Sequence, residues 1–195
     1  LHRDGAAMTR EYSYQDWCLA QIARAVGRED DAEMFEKRSQ NFRNIWDPSV
    51  GYMRPRKKDG SWLQEFDPLD GKDFCESNAA IYSHFVPHAM DSLVELCGGQ
   101  NAYCERLHTQ FRKETETAFQ NRDGWVDYAN QPACAMAHLF NLAGAPWLSQ
   151  YWVRRVSRQA YGGTNPNRGY YPGDEDQGQM GGVSELMKHG MLSLR

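Results

Sequence analysis

Several features that define other classes of protein are missing from this sequence. No run of apolar residues approaches the 18 or so that a membrane-spanning helix needs. No membrane span is therefore expected. The formal net charge is −4, and a nucleic-acid partner is not expected because it would need a basic face. The five cysteines include no CxxC pair, which argues against a zinc knuckle or a redox pair. P-loop and GxSxG motifs are also absent.

What is present fits one globular domain of ordinary size. The chain has 195 residues, of which 41% are hydrophobic and 25% charged, and at this length roughly 70% of the unfolded surface can be buried. The segment after Leu1 has neither an initiator Met nor an apolar leader. We therefore expect the chain to be part of a longer protein.

Helical periodicity dominates the pattern of apolar residues. The predicted helices cover residues 9–26, 29–46, 78–96 with a break at Pro87, 101–120, 133–142, 146–159 and the stretch that begins near 179. The first helix is expected to bury the stripe Tyr14, Trp17, Cys18, Ile22 and Val26. The helix over 101–120 is expected to bury Leu107, Phe111 and Phe119.

Three long irregular segments, 47–75, 124–132 and 161–176, separate these helices. Loops of that length in a compact domain are usually functional, and here they recur at one kind of junction between helix pairs. The pattern predicts an all-α fold, a partial (α/α)6 toroid whose long loops surround a pit at one rim. About seven helices are too few to close a twelve-helix toroid, so residues 1–195 are expected to form part of one.

Two of the irregular segments carry acidic residues of interest. Glu76 precedes a helix rich in aromatic residues, where apolar neighbours would raise its pKa and make it a general acid; alternatively, it caps the helix. Asp174, Glu175 and Asp176 stand in a row between glycines, which is more charge than capping requires. An EF-hand is rejected because Gln179 stands where that loop needs Gly.

In a toroid these acids would lie at the same rim, and two carboxylates across a pit are what glycoside hydrolysis needs. Asn130 and Gln131 could bind sugar hydroxyls or offer carbonyl oxygens to a hard cation, or simply form a turn before Pro132. Aromatic residues near the loops could stack on sugar faces or only pack locally: Trp62, Trp125, Tyr170 and Tyr171. A zinc pair of His84 and His88 lacks an HExxH motif.

Six segments taken together resemble glycoside hydrolase family 92, the calcium-dependent exo-α-mannosidases. In chain order they read TREYSYQDW (9–17), FRNIWDPSVGYMRPR with DGSW (42–62), ESNA (76–79), FVPH (85–88), LFNLAGAPW (139–147) and GDEDQGQM (173–180). Each segment alone is a weak signal, but their shared order over nearly the whole chain is specific.

The resemblance implies hydrolysis of a terminal α-linked mannose from glycans with inversion. Glu76 matches the general acid of the family, and Asp174 with Asp176 matches its base. Calcium is implied as the cofactor that binds the sugar hydroxyls, and Gln131 and Cys134 lie in the segment associated with it. An N-terminal β-sandwich domain, and the first helices of the toroid, are expected elsewhere in the same protein. A signal peptide there would make the protein secreted, periplasmic or surface-associated.

The sequence also departs from the family pattern. Gln131 stands where the family usually has Glu, and Cys134 where it has His or Gln, so one negative charge of a hard-cation site is lost. Two other hypotheses therefore stand beside the mannosidase. One is a catalytically weakened carbohydrate-binding or structural segment of a larger glycosidase-like protein, and the other is a toroid enzyme that acts on glucosides.

Overall fold

The computed structural model describes residues 4–164 and 172–190, and in these ranges the chain is mainly helical. The α-helices are α1 (Gly5–Ala25), α2 (Glu29–Ser39), α3 (Ala79–Tyr82), α4 (Met90–Leu96), α5 (Gln100–Lys113), α6 (Leu139–Leu142), α7 (Pro146–Gln159) and α8 (Gln179–His189). The one sheet in the described ranges pairs β1 (Trp46–Asp47) with β2 (Tyr52–Met53) in antiparallel register. The all-α prediction is confirmed. No described helix is both long and apolar enough to cross a membrane.

The centre of the core lies between α5 and α7. Phe111 of α5 packs its ring against Trp152 of α7 with centroids 5.0 Å apart, and Phe119 and Phe140 complete the cluster. Leu107, Phe111 and Phe119 are fully buried, as the apolar spacing predicts. Large aromatic side chains of this kind each bury extensive apolar surface and so stabilise the fold.

The apolar stripe of α1 is only partly buried, with Tyr14, Trp17 and Cys18 half-buried. Ile22 is 59% and Val26 65% exposed, whereas the buried face consists of small and polar residues: Ala6, Ala7, Arg10, Ser13, Asp16, Ala20 and Ala23. α2 packs against α1, and the Arg38 guanidinium forms an ion pair with Asp16 at 3.1 Å. The physical reason is that close packing of two helices favours small side chains, whereas the prediction weighed only large apolar ones.

Four other predicted helices are shorter or more broken than expected, and one of them is α5, which ends at Lys113 and not near residue 120. The second α-helix tightens into a 3₁₀ segment over Gln40–Ile45 before β1. The region 78–96 divides into α3 and α4 around Pro87, which lacks the N–H that a continuous helix needs; the predicted break is confirmed, but α3 ends at Tyr82, earlier than expected. The region 133–142 holds the 3₁₀ turns Gln131–Ala133 and Met136–His138 and then α6. These short turns lie around the site described next.

Arg54 belongs to a basic run, with Arg56, Lys57 and Lys58, that would ordinarily be a solvated loop. The last three are exposed. Arg54 instead forms a mostly buried ion pair with Asp47 at 2.9 Å and donates from Nη2 to the Leu63 carbonyl at 2.6 Å. It therefore stabilises the β1–β2 hairpin.

Candidate active site

A cavity of about 520 Å³ opens between α1, the loop before α3, the 3₁₀ turn at 131–133 and the start of α8. Its lining includes the polar side chains of Arg10, Glu11, Tyr14, Glu76, Tyr82, Gln131 and Gln179. Phe85 and Val183 contribute apolar surface. A concave site with apolar walls and a few polar groups is the usual form of a small-ligand pocket.

Glu76 reaches this cavity from a strained backbone. Its φ is 59°, in the left-handed region that costs a residue with a Cβ roughly 1–2 kcal/mol. The alternative role for Glu76 as a helix cap is not what the structure shows. Asn78 caps α3, because its side chain accepts a hydrogen bond from the Ile81 amide, and the Glu76 side chain is exposed toward the cavity.

Two side chains hold the backbone on either side of Glu76. Asn130 donates from Nδ2 to the Glu76 carbonyl at 2.9 Å and accepts at Oδ1 from the Gln131 amide. The Tyr82 hydroxyl donates to the Cys75 carbonyl at 2.7 Å. The loop that carries Glu76 is therefore fixed from two directions.

The second acidic segment lies just before α8. Asp174 is exposed and Asp176 half-buried. The Glu175 carboxylate turns inward, where its Oε1 accepts from the Gly181 amide at 3.3 Å and its Oε2 is buried without a hydrogen-bond partner. Asp176 also has a left-handed backbone, with φ of 50°. Residues held in such conformations cluster at functional sites.

The segment 128–131 brings the two acidic segments together although 98 positions separate Glu76 from Asp174. Asn130 holds Glu76, and Gly173 packs so closely on Ala129 that a Cβ at this glycine would collide with the Ala129 carbonyl. Of the predicted site residues, Glu76, Gln131 and Cys134 line the cavity. Asn130, Asp174 and Asp176 lie next to it and do not line it: Asn130 adjoins Gln131, and the two aspartates precede the first residues of α8, which do line it.

Arg10 is a wall residue that the sequence interpretation missed. Its side chain is 5% exposed, its guanidinium lies 4.6 Å from the Tyr82 ring centroid, and it forms an ion pair with Glu11. Burial lowers the pKa of the Arg10 guanidinium, which nevertheless stays charged. The sequence contains a signal for the burial of Arg10. This residue lies at helical spacing from Ser13 and the alanines of α1, which form the packed face of that helix.

Cys134 and Gln131 were assigned to a calcium site. The Cys134 thiol is buried and lies 3.8 Å from both the Asn130 carbonyl and the Met180 sulfur. Burial raises the pKa of Cys134 to about 12, and the nearby charge of Asp176 acts in the same direction. A protonated thiol does not fit calcium, which takes oxygen ligands. The described part of the chain contains no group of three or more His, Cys, Asp or Glu residues placed to hold a metal ion.

The remaining candidates have structural partners. His84 is fully enclosed between the Tyr103 hydroxyl and Gln110, and His88 contacts the Ser39 carbonyl at 3.0 Å, so the two do not form a zinc pair. Trp62 faces the Arg56 guanidinium and Trp125 the Lys113 ammonium. Neither tryptophan lines the cavity. Tyr170 and Tyr171 lie outside the described residues.

Glu76 thus lies in the wall of one cavity in a helical framework, and the acidic residues 174–176 precede the helix whose first residue, Gln179, lines the same cavity. Most glycoside hydrolases use a pair of acids that flank the scissile bond. The chain belongs to glycosyl hydrolase family 92, because the model of that family's catalytic domain matches residues 2–194.

Known proteins agree with this membership. An uncharacterized secreted glycosidase of Arthroderma benhamiae is 25% identical over an alignment of 209 positions, gaps included. The alignment covers 94% of this chain and 25% of that protein. A family GH92 alpha-mannosidase from Bacteroides thetaiotaomicron superposes with a TM-score of 0.82 at 30% identity, over 94% of this chain and 24% of that one. An inverting mannosidase of the same family and species gives 0.80 at 28% identity, over 95% of this chain and 26% of that one. The chain therefore spans about a quarter of the length of these relatives.

Proposed function

We propose that this chain supplies both catalytic carboxylates of an enzyme that hydrolyses terminal α-linked mannose from glycans with inversion. The observation that carries the proposal is the position of Glu76 in the cavity wall, tied through Asn130 and Ala129 to the loop of Asp174 and Asp176. The names of the similar Bacteroides proteins, a mannosidase and an inverting mannosidase, supply the substrate class and the stereochemistry.

Each carboxylate has a separate task. Glu76 donates a proton to the glycosidic oxygen as the leaving group departs, and an aspartate of the second segment removes a proton from the attacking water on the opposite face of the sugar. Asp176 is the better placed base of the two because it is half-buried and close to the wall residue Cys134, whereas Asp174 is exposed. An inverting enzyme requires roughly 6.5–9.5 Å between its acid and its base.

Other parts of the same protein enter the proposal through the family. We propose that a β-sandwich domain and further helices complete the site, and that the protein is secreted, as the name of the Arthroderma relative says of that protein. No step is assigned to calcium, because the Cys134 thiol does not suit that ion.

The test is mannose release from α-linked mannobiose by the complete protein that carries this chain. Glu76→Gln is expected to slow release by roughly 10²–10⁴-fold, the usual contribution of a general acid. Glu65→Gln is the matched control, because Glu65 is also exposed and has a left-handed backbone. An unchanged rate in Glu76→Gln would remove this residue from its role.

The alternative functions give different results in the same assay. A weakened carbohydrate-binding segment predicts retention on a mannan column with no mannose released. A toroid enzyme of other specificity predicts glucose release from α-glucosides instead.

A further inference from the structure

We infer that Asn130 and Tyr82 are positioning residues that together orient the carboxyl group of Glu76. The inference rests on the proposed role of Glu76 as general acid. It assigns to Asn130 a role other than the predicted contact with substrate, and it gives Tyr82 a function in the reaction.

The first step of the argument is the backbone of Glu76. With φ of 59°, this residue occupies a conformation that residues with a Cβ rarely adopt. Such a conformation persists only where the surrounding structure holds it. The direction of the Cα–Cβ bond, and so the wall position that the carboxyl group reaches, depends on that conformation being kept.

The second step is the placement of the two hydrogen bonds. The Cys75 carbonyl, which Tyr82 binds at 2.7 Å, belongs to the peptide unit before the Glu76 Cα. The Glu76 carbonyl, which Asn130 binds at 2.9 Å, belongs to the peptide unit after it. Because a peptide unit is planar, fixing the units on both sides fixes φ and ψ of Glu76.

The third step is that both holding groups are themselves fixed. Tyr82 is 6% exposed, its ring packs against Phe74 with centroids 5.6 Å apart, and the Arg10 guanidinium covers it at 4.6 Å. Asn130 is oriented by its second hydrogen bond, at 2.8 Å from the Gln131 amide. Tyr82, covered by Arg10, therefore holds the peptide unit before Glu76, and Asn130 holds the peptide unit after it.

The experiment compares leaving groups in the complete protein. A good leaving group such as 2,4-dinitrophenolate departs from an aryl α-mannoside without being protonated, whereas the alkoxide of an alkyl α-mannoside needs a proton from the general acid. We expect Tyr82→Phe and Asn130→Ala to lower kcat on the alkyl substrate by roughly 10–100-fold, since small misplacements of a catalytic group have effects of this size. On the dinitrophenyl substrate kcat should change less than about threefold, and KM should stay constant on both.

The matched controls are Tyr12→Phe and Asn101→Ala, which alter exposed residues of α1 and α5 and should leave both rates unchanged. Equal losses of kcat on the two substrates would mean a merely structural role and would overturn the inference. A rise in KM on both in Asn130→Ala would restore the substrate-binding role of Asn130 instead. Should Asn130→Ala fail to fold, the near-isosteric Tyr82→Phe decides alone.

Glu76→Gln in the same series separates this inference from the proposed function. Suppose that Glu76→Gln loses activity only on the alkyl substrate, whereas Tyr82→Phe and Asn130→Ala show no such selective loss. The inference about positioning then fails, and the general-acid role of Glu76 stands. If Glu76→Gln shows no dependence on the leaving group, the general-acid assignment fails and the inference with it.

Discussion

The core between α5 and α7 and the wall of the cavity are built on opposite principles. In the core, Phe111 and Trp152 are apolar, fully buried and placed on regular helices. In the wall, a charged Arg10 is buried and Glu76 has a left-handed backbone, as has Asp176 in the adjoining loop before α8. The core pair therefore follows local helical preference and the site residues depart from it, although the buried Phe119 of the core cluster also has a left-handed backbone, with φ of 60°.

The most direct test of this division is at the two aspartates of the loop before α8. We expect Asp176→Asn to reduce kcat of the complete protein on α-linked mannobiose by roughly 10²–10⁴-fold, because an amide cannot accept the proton of water. Asp174→Asn, an equal change two positions away on an exposed residue, should have the smaller effect. The free energy of unfolding should hardly change in either variant.

Mannose release and urea unfolding of the same samples would check both parts of this expectation. A larger rate loss in Asp174→Asn would make Asp174 the principal base. A large loss of stability in Asp176→Asn would break the division between core and wall.

The core offers the converse test on α7. We expect Trp152→Ala to lower the free energy of unfolding by about 3–5 kcal/mol, because it removes a fully buried aromatic side chain and leaves a cavity. Trp147→Ala on the same helix is the control, since Trp147 is 64% exposed, and changes at exposed positions usually stay within about 0.5 kcal/mol. Calorimetric unfolding of the complete protein measures both, and equal losses would contradict the exposure of Trp147.

The same contrast explains how much of the fold could be predicted. The helix that became α7 and the buried side chains of α5 follow from large apolar residues at helical spacing, a signal that is local in sequence. The face of α1 was mispredicted because Ala20 and Ala23, not Ile22 and Val26, pack inward. Which stripe of a helix is buried depends on its neighbours, and one sequence does not specify these.

The site was predictable in residue types but not in geometry. Glu76 and the acids at 174–176 could be named from their charge, their glycine-rich context and the resemblance to a family. Their roles stay predictions. The support by Tyr82 and Asn130 could not be predicted, because it depends on the Glu76 carbonyl, 54 positions from Asn130, on the Cys75 carbonyl and on a left-handed φ at a residue other than Gly.

A histidine in the core should make stability depend on pH. Burial lowers the pKa of His84 to about 4, whereas an unfolded histidine titrates near 6.5. Between these values the unfolded state binds the proton, so this contribution to stability is complete above about pH 6.5 and is lost as the pH falls toward 4. The loss is on the order of 3 kcal/mol for this shift.

Urea unfolding of the complete protein at pH 7 and pH 4.5 would measure this effect. His84→Gln, which keeps a polar side chain but does not titrate, should lose less stability between the two pH values. His189→Gln changes an exposed histidine at the end of α8 and serves as the control. The dependence will not vanish entirely, because burial also lowers the pKa of His138 to about 4. An unaltered pH dependence in His84→Gln would contradict the burial of its ring.

The smallest expected effect concerns metal binding at the wall. Gln131 lines the cavity with a neutral amide, so Gln131→Glu should tighten calcium binding by about tenfold, since a unit charge about 4 Å away contributes roughly 1–4 kcal/mol. Gln179→Glu adds the same charge to the same cavity from α8. It tests whether calcium affinity depends on the position of the added carboxylate or only on its charge. Calorimetric titration with calcium measures both variants. Calcium binding that is tight in the parent and equally tight in Gln131→Glu would contradict this expectation. It would mean that residues other than Gln131 and Cys134 hold the cation.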